Sequence, residues 1–441
     1  MKKEPHSVSS CFACAAETTA VSVTDFLDSI GAVSSVSRRG EEIEGTIDGL
    51  RYTGIRWLRV GYEDNAPIED FLKAHSATGV KFSYGMLSGH SNVDRLLEDS
   101  RILANADALI ALEGSNEPNN FGPINYKGET GGKSHSWLPV AKMHRDLYAA
   151  AKADPILKDY PVWALCENGA QTDNAGLQFL AIPEGSNTLM PDGTKYADYA
   201  NCHNYICHPT WPGLHDNQTW LSSAPDKDCP VDGLYGNYGL TWRNKFQGYT
   251  DEQLQLLPRV TTETGIVIDN EVSEDLQGRL YLDLYLSQFK QGWKHTAIYL
   301  FKGRANEPEH ESFAFYKLDN SPKQAAHYMH NFTSILDDKA PDSPLGGKLD
   351  YTIPAQPATT HDLLLQRSNG NFVLILWGER FKSGGSDDIT IKLAQKFNRV
   401  LVYDPIIGTD IQQTLSDTDA IPVSLTDHPV ILEFTDTSTA K

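Results

Sequence analysis

The stretch Asp107–Gly122 reads DALIALEGSNEPNNFG: an apolar run ending in a glutamate, Glu117, set between Asn116 and Pro118. A second stretch, Arg259–Asp269, has the same grammar. RVTTETGIVID carries Glu263 at the tip of a β-branched run. Both runs are short, rich in strand formers and bounded by turn residues, which is how a buried strand of a parallel sheet reads.

Working outward, the same rhythm recurs from Val21 to about Leu336. Strands are expected at Ser29–Ser34, Gly54–Val60, Val80–Met86, Ala108–Leu112, Val162–Leu165, Tyr199–His203, Arg259–Thr262 and Thr296–Phe301. Between them lie helical patterns such as Ile68–Ala77, Leu138–Ala153 and Asp275–Gln291. Strands alternating with helices predict a parallel sheet, and this set fits a closed α/β barrel, the (β/α)8 or TIM fold, better than an open sheet. No GxGxxG follows the first strand, which weakens a dinucleotide fold.

The segment from about Ala340 to Ala358, rich in Pro, Gly and Asp, reads as a linker. Beyond it the period changes to two, in HDLLLQRSNGNFVLILWGERF (His361–Phe381), then DITIKLA, RVLVYDP and VILEF. Asn369-Gly370 marks a hairpin turn. The expected organisation is an N-terminal leader or tail over 1–17, a barrel over 18–338 and a small all-β sandwich over 343–438, with the N-terminal strand a candidate to join the sandwich.

Composition narrows the partners. The 441-residue chain carries a formal charge of −20, which argues against a phosphate-backbone partner and so against nucleic acid. No run of about 18 apolar residues is present, so no membrane span is expected. Eight Trp, 19 Tyr and 16 Phe make an aromatic supply that suits stacking on sugar faces, although a large barrel core uses rings too. The leader MKKEPHSVSSCFACAAETT resembles an export signal whose apolar region is interrupted by Glu4, Pro5 and His6, so a secreted or periplasmic location is the expectation.

Cys11-x-x-Cys14 has no matching pair for a zinc site, and the spacing of His203, His208 and His215 matches no zinc scheme, so no metal or other cofactor is expected. Cys207 and Cys229 flank a loop-rich stretch and are candidates for a disulfide; Cys166 and Cys202 read as small buried residues. No G-x-S-x-G elbow supports a serine hydrolase.

In a (β/α)8 barrel, chemistry gathers where the strands end. Glu117 ends the fourth run and Glu263 the seventh. Two carboxylates so placed suit glycosidic bond cleavage, one protonating the leaving oxygen and the other attacking the anomeric carbon. In a retaining enzyme they stand about 5–5.5 Å apart.

Asn116-Glu117-Pro118 after strand four, with Thr262-Glu263-Thr264-Gly265 at strand seven, resembles the clan A glycoside hydrolases. The likeness is nearest to family 39 and its neighbours, through DFLDSIGAV (Asp25–Val33) and the sandwich after the barrel. The resemblance implies Glu117 as acid/base, Glu263 as nucleophile, Arg59 in contact with the nucleophile and Asn116 on the sugar 2-hydroxyl. It also places His203 and Tyr205, in ANCHNYICHP, beside the nucleophile. The stretch Phe313–Phe332 (FAFYKLDNSPKQAAHYMHNF) is similar to the closing segment of many clan members.

Asn306-Glu307-Pro308 repeats the tripeptide, but only the first copy follows strand four, 146 residues ahead of the second acid (263 − 117). Glu307 is therefore expected in a loop lining the cleft. The sequence departs from the clan twice. Where many members carry Trp at the end of strand eight, AIYLFKGR offers Phe301, Lys302 and Arg304. Strand one ends in the small residues of AVSSVSRRG.

Trp137, Trp211, Trp220 and Trp242 in long loops are candidate stacking platforms, and Lys302 a candidate substrate contact. The expected partner is a poly- or oligosaccharide, and the family resemblance implies bacterial polysaccharides ahead of plant β-glycans. Two rivals share these residues: a non-catalytic carbohydrate-binding barrel, and a transglycosylase.

Overall fold

The computed structural model describes residues 16–62, 65–86, 89–166, 174–207, 211–225, 229–231, 249–338 and 346–435. Trp242, His208, Cys11 and Cys14 lie outside them.

Eight parallel strands form the barrel. They are β1 (Ile30–Val33), β2 (Trp57–Gly61), β3 (Lys81–Met86), β4 (Leu109–Ser115), β5 (Val162–Trp163), β6 (Ala200–Asn201), β7 (Arg259–Thr264) and β8 (Trp293–Ile298). β8 pairs back onto β1 through Thr296–Ile30, and a Trp163–Tyr199 bridge links β5 to β6, so the sheet closes.

All eight expected strands are present. The last is displaced: it begins at Trp293 and leaves the sheet after Ile298. The apolar residues Leu300 and Phe301, which suggested a longer strand, are instead packed in the core beyond it. Hydrophobicity there reports burial rather than pairing.

Close packing inside the barrel has local requirements. A Cβ at Gly31 would fall 2.1 Å from the Trp57 indole, and one at Gly85 would fall 3.0 Å from the Glu113 Cβ. Glycine at these two places lets a large ring and a buried acid point inward.

Helices α1 (Ile43–Thr53), α2 (Ile68–Thr78), α3 (Val93–Asn105), α4 (Leu138–Ala153), α5 (Glu274–Lys290) and α6 (Gln324–Leu336) pack outside. The first two end on glycines in the left-handed region, Gly54 at φ 67° and Gly79 at φ 78°, conformations that cost glycine little. α5 starts where the Ser273 side chain accepts from Leu276 N, and is buried almost all round from Leu280 to Gln288. It is clamped between the barrel and a second sheet.

That sheet contains β9 (Lys348–Thr352), β10 (Thr360–Gln366), β11 (Phe372–Gly378), β12 (Asp387–Tyr403), β13 (Gln413–Leu425) and β14 (Pro429–Thr435). The N-terminal strands join it: Ala16–Thr19 runs antiparallel to β9, and Val21–Ser22 parallel to β10. The long β12 pairs β13 along both halves, β9 at Lys392 and Leu393, and β14 with Arg399–Tyr403.

Period-two alternation was the expectation for β10 and β11, but LLL (363–365) and VLILW (373–377) are continuously buried. One face of this layer (Leu364, Leu374, Leu376) fills the β unit's own core. The other (Leu363, Val373, Ile375, Trp377) packs into the core shared with the barrel. Burial on both faces removes the polar alternate positions.

The Asn369-Gly370 turn does join β10 to β11. It is a five-residue connection, 367–371, with Gly370 N donating to Arg367 O at 2.9 Å and Gly370 at φ 91°. Among the described residues no helix is long and apolar enough to cross a membrane.

Candidate active site

At the C-terminal rim of the barrel, six of the residues singled out in the sequence converge. Arg59, near the end of β2, is the hub. Its Nε donates to both Glu113 oxygens at 3.0 and 3.1 Å, its Nη2 to Asn116 Oδ1 at 2.7 Å, and its Nη1 to Glu263 Oε1. Tyr205 Oη donates to the other Glu263 oxygen at 3.0 Å. Both oxygens of Glu263 are thus held, while the side chain stays 14 % exposed and open to a ligand.

Burial opposes the positive charge on Arg59, but Glu113 and Glu263 outweigh it and keep the guanidinium pKa well above its ordinary value. Burial, with Glu263 beside it, pushes the Tyr205 phenol well up, so it remains a donor.

Glu117 sits in the turn after β4 with φ +40°, a left-handed conformation that costs a glutamate about 1–3 kcal/mol. Its oxygens meet His203 Nδ1 at 2.7 Å and Asn120 Nδ2 at 3.0 Å. His203 Nε2 lies 3.1 Å from Thr262 Oγ1, and that hydroxyl is 2.9 Å from Glu113 Oε1. With the Thr262 hydroxyl donating to Glu113, His203 Nε2 donates to Thr262 and Nδ1 faces Glu117. One oxygen of Glu117, one nitrogen of His203 and one oxygen of Glu263 lie within 4.8 Å of one another.

Sequence reading missed the floor of this site. Glu113 is 1 % exposed and also accepts from Ser83 Oγ at 2.9 Å. Asn201 Nδ2 donates to Thr262 Oγ1 at 3.0 Å, and Cys166 Sγ to Asn116 Oδ1 at 3.6 Å. One signal was available: an acid in the middle of an apolar strand, as in ALIALEG, has to find a buried cation.

The other candidates are not gathered here. Trp137 packs in the hydrophobic core at 4 % exposure, so it presents no open face for a sugar. Trp211 stacks on His215 with ring centroids 4.3 Å apart, and Trp220 stacks on His361 of the β unit at 4.1 Å. Lys302 is buried, and its Nζ donates to Asn320 Oδ1 at 2.7 Å and Gly40 O at 3.2 Å instead of to either carboxylate.

The aromatic residue directly after β8 is Tyr299, not Phe301. Its ring lies 5.8 Å from Phe313, which in turn lies 6.0 Å from Tyr205. The small residues after β1 also find a reason: Ser34 Oγ and Ser35 N both donate to the buried Glu41 at 2.6 Å. Cys207 and Cys229 stand as thiols, not as a disulfide; Cys229 Sγ donates to Val231 O at 3.0 Å.

Comparison with known proteins places the fold. No family model and no curated protein matches the chain at the sequence level. Among solved structures, a family 39 glycoside hydrolase from the gut symbiont Bacteroides cellulosilyticus is similar with a TM-score of 0.56 and 15% identity, over 93% of this chain and 82% of that one. An endo-β-1,6-glucanase follows at 0.51 and 10%, over 93% and 92%. A family 51 arabinofuranosidase from Xanthomonas axonopodis stands at 0.50 and 11%, over 95% and 98%. The chain has the architecture of these glycoside hydrolases, a (β/α)8 barrel carrying a β unit.

Proposed function

We propose that the protein is a retaining glycoside hydrolase acting on a poly- or oligosaccharide. The observation that carries this is the approach of the two rim carboxylates. Oxygens of Glu117 and Glu263 come within 4.8 Å, at the ends of β4 and β7. An inverting enzyme needs about 6.5–9.5 Å to admit water between its acids, whereas direct attack needs the shorter spacing.

In this reading the sequence of events is a double displacement. Glu263, held by Arg59 and Tyr205, attacks the anomeric carbon. Glu117 passes its proton to the departing oxygen. Glu117, now ionised, then takes a proton from water as that water displaces Glu263 and frees the sugar with its configuration retained. Asn116, hydrogen-bonded to Arg59, meets the sugar 2-hydroxyl in this reading. The chemistry calls on no metal or organic cofactor.

The test pairs two variants across a panel of polysaccharides and aryl glycosides. Glu263→Gln is expected to lose roughly four orders of magnitude or more in kcat. Glu117→Ala should lose activity and recover it with azide, which attacks the glycosyl ester, expels the Glu263 carboxylate and yields a glycosyl azide of retained configuration. Full activity in Glu263→Gln, or an azide of inverted configuration, would sink the assignment. Sugar affinity without turnover by the wild type would turn the reading to a binding barrel. Products longer than the substrate would turn it to a transglycosylase.

A further inference from the structure

Glu117, His203 and Glu263 meet beyond the ends of β4, β6 and β7, and each turns one atom toward the other two. His203 Nδ1 is the common point. It lies 2.7 Å from Glu117 Oε1 and 3.5 Å from Glu263 Oε2, and one ligand-type atom from each of the three residues falls within 4.8 Å of the others. In a tetrahedral zinc site with bonds of about 2.0–2.2 Å, neighbouring ligand atoms stand about 3.3 Å apart. The two contacts of Nδ1 bracket that value. One imidazole nitrogen and two carboxylate oxygens are donor types that zinc accepts, and three protein ligands leave a fourth position open.

Spacing alone does not make a metal site, because the two acids of a retaining glycosidase stand close in any case. What distinguishes this trio is the support behind it. His203 Nε2 donates to Thr262 Oγ1 at 3.1 Å, which in a neutral imidazole leaves Nδ1 as the lone-pair nitrogen. Glu117 Oε2 accepts from Asn120 Nδ2 at 3.0 Å, and Glu263 Oε1 accepts from Arg59 Nη1. The rear atom of every ligand is thus held. Outer partners of this kind orient the ligands of metal sites, through the atom that does not face the ion. Glu263 Oε2 also accepts from Tyr205 Oη at 3.0 Å, and a carboxylate oxygen keeps a second lone pair for a metal.

Access favours this trio over a second one that shares the histidine. Glu113, Cys166 and His203 also bring ligand-type atoms within 4.8 Å of one another. All three are fully buried, and the Glu113 oxygens already accept from Arg59, Ser83 and Thr262. Glu263 keeps its partial exposure at the rim, which gives an ion its way in. No spacing along the chain announces the site. Its ligands lie 86 residues before His203 and 60 after it (263 − 203), so only closure of the barrel assembles them.

We infer that Glu117, His203 and Glu263 form a binding site for a divalent transition-metal ion, zinc or copper, which shuts the enzyme reversibly by occupying both acids. The proton in the contact between Nδ1 and Glu117 passes to solvent as the ion enters. That an ion binds rests on the geometry alone; that it inhibits rests on the function proposed above. Magnesium and calcium ask for more oxygen ligands than the trio offers and stay unbound.

Calorimetry with zinc chloride on the full chain reads binding without a substrate. Saturable binding of zinc is expected, with magnesium chloride and calcium chloride giving none. Asn120→Ala, at an exposed position, frees Glu117 Oε2 and should weaken zinc about tenfold. His203→Ala should abolish binding here; if that variant melts early, Glu117→Gln, which keeps the shape and loses a charged ligand, takes its place. Cys166→Ser, and Cys11→Ser with Cys14→Ser, should leave the affinity as it is.

Absence of saturable zinc binding overturns the inference. So does zinc that stays as tight in Asn120→Ala and Glu117→Gln, or that is lost with the cysteines. On an aryl glycoside, zinc should slow the wild type and a chelator restore it; full turnover at saturating zinc overturns the inhibition. Zinc binding by a wild type that cleaves no glycoside would overturn the hydrolase reading and leave the metal site standing.

Discussion

Two of the places where this molecule buries acids handle them in opposite ways. At the barrel mouth, Glu113 and Glu263 share one buried cation, Arg59, and the Coulombic gain keeps charge inside the protein. At the seam between barrel and β unit, Glu379 and Asp283 are buried, and among the described residues neither pairs with an arginine or a lysine.

Glu379 is met by uncharged donors: Thr219 N at 2.9 Å, Thr219 Oγ1 at 2.6 Å, Ser287 Oγ at 3.0 Å and Trp377 Nε1 at 3.2 Å. Among the described residues, neither oxygen of Asp283 has a hydrogen-bond partner. The nearby Arg279 pairs with Asp427 at 2.9 Å and Asp275 at 2.6 Å. Burial accordingly raises both seam carboxyls above their ordinary values, Asp283 well above. The mouth stores charge where a reaction can use it. The seam buries its acids away from arginine and lysine, where the barrel and the β unit pack.

The sharpest way to break this comparison is to remove the cation. Arg59→Met leaves Glu113 buried and uncompensated, at an expected cost of about 3–5 kcal/mol in stability and roughly 100-fold or more in kcat. Denaturant unfolding and turnover on one aryl glycoside check both. Adding Glu113→Gln should return most of the stability and little of the activity. Recovery of both together would mean that Arg59 only fills space.

At the seam, Glu379→Ala strips partners from Thr219, Ser287 and Trp377. It should cost about 2 kcal/mol without changing kcat. A fall in kcat at equal folded fraction would show the two regions to be coupled.

The smallest effect is the most diagnostic. Asp283 binds its proton more tightly folded than unfolded, so stability is lost as pH rises from the unfolded value, about 3.9, toward the raised folded value. Asp283→Asn should therefore melt above the wild type at pH 8, by roughly 2 °C. The gap should close as pH falls toward 4. An equal gap at both values would place the effect in packing instead of charge.

Much of this was legible in the chain. The eight strands, the hairpin at Asn369-Gly370 and the positions of Glu117 and Glu263 follow from local pattern, because strand ends and turns are set within a few residues. The stacking role suggested for Trp137 was not tenable. A Trp in a loop-rich stretch looks exposed in sequence, and only the close packing of the core around it reveals burial. Tyr299 was passed over because pairing with β1, not hydrophobicity, decides where β8 stops. Glu113 was visible as an acid inside an apolar strand, but its partners Ser83, Arg59 and Thr262 lie 30, 54 and 149 positions away.

The sequence alone determined the periodicities, and with them the barrel, the β unit and the pair of acids at strand ends. What only the tertiary structure decided is which buried acid stands beside a cation. That depends on neighbours brought close from far along the chain, as Arg59 is to Glu263 across 204 residues. It is not a property of any local window of sequence.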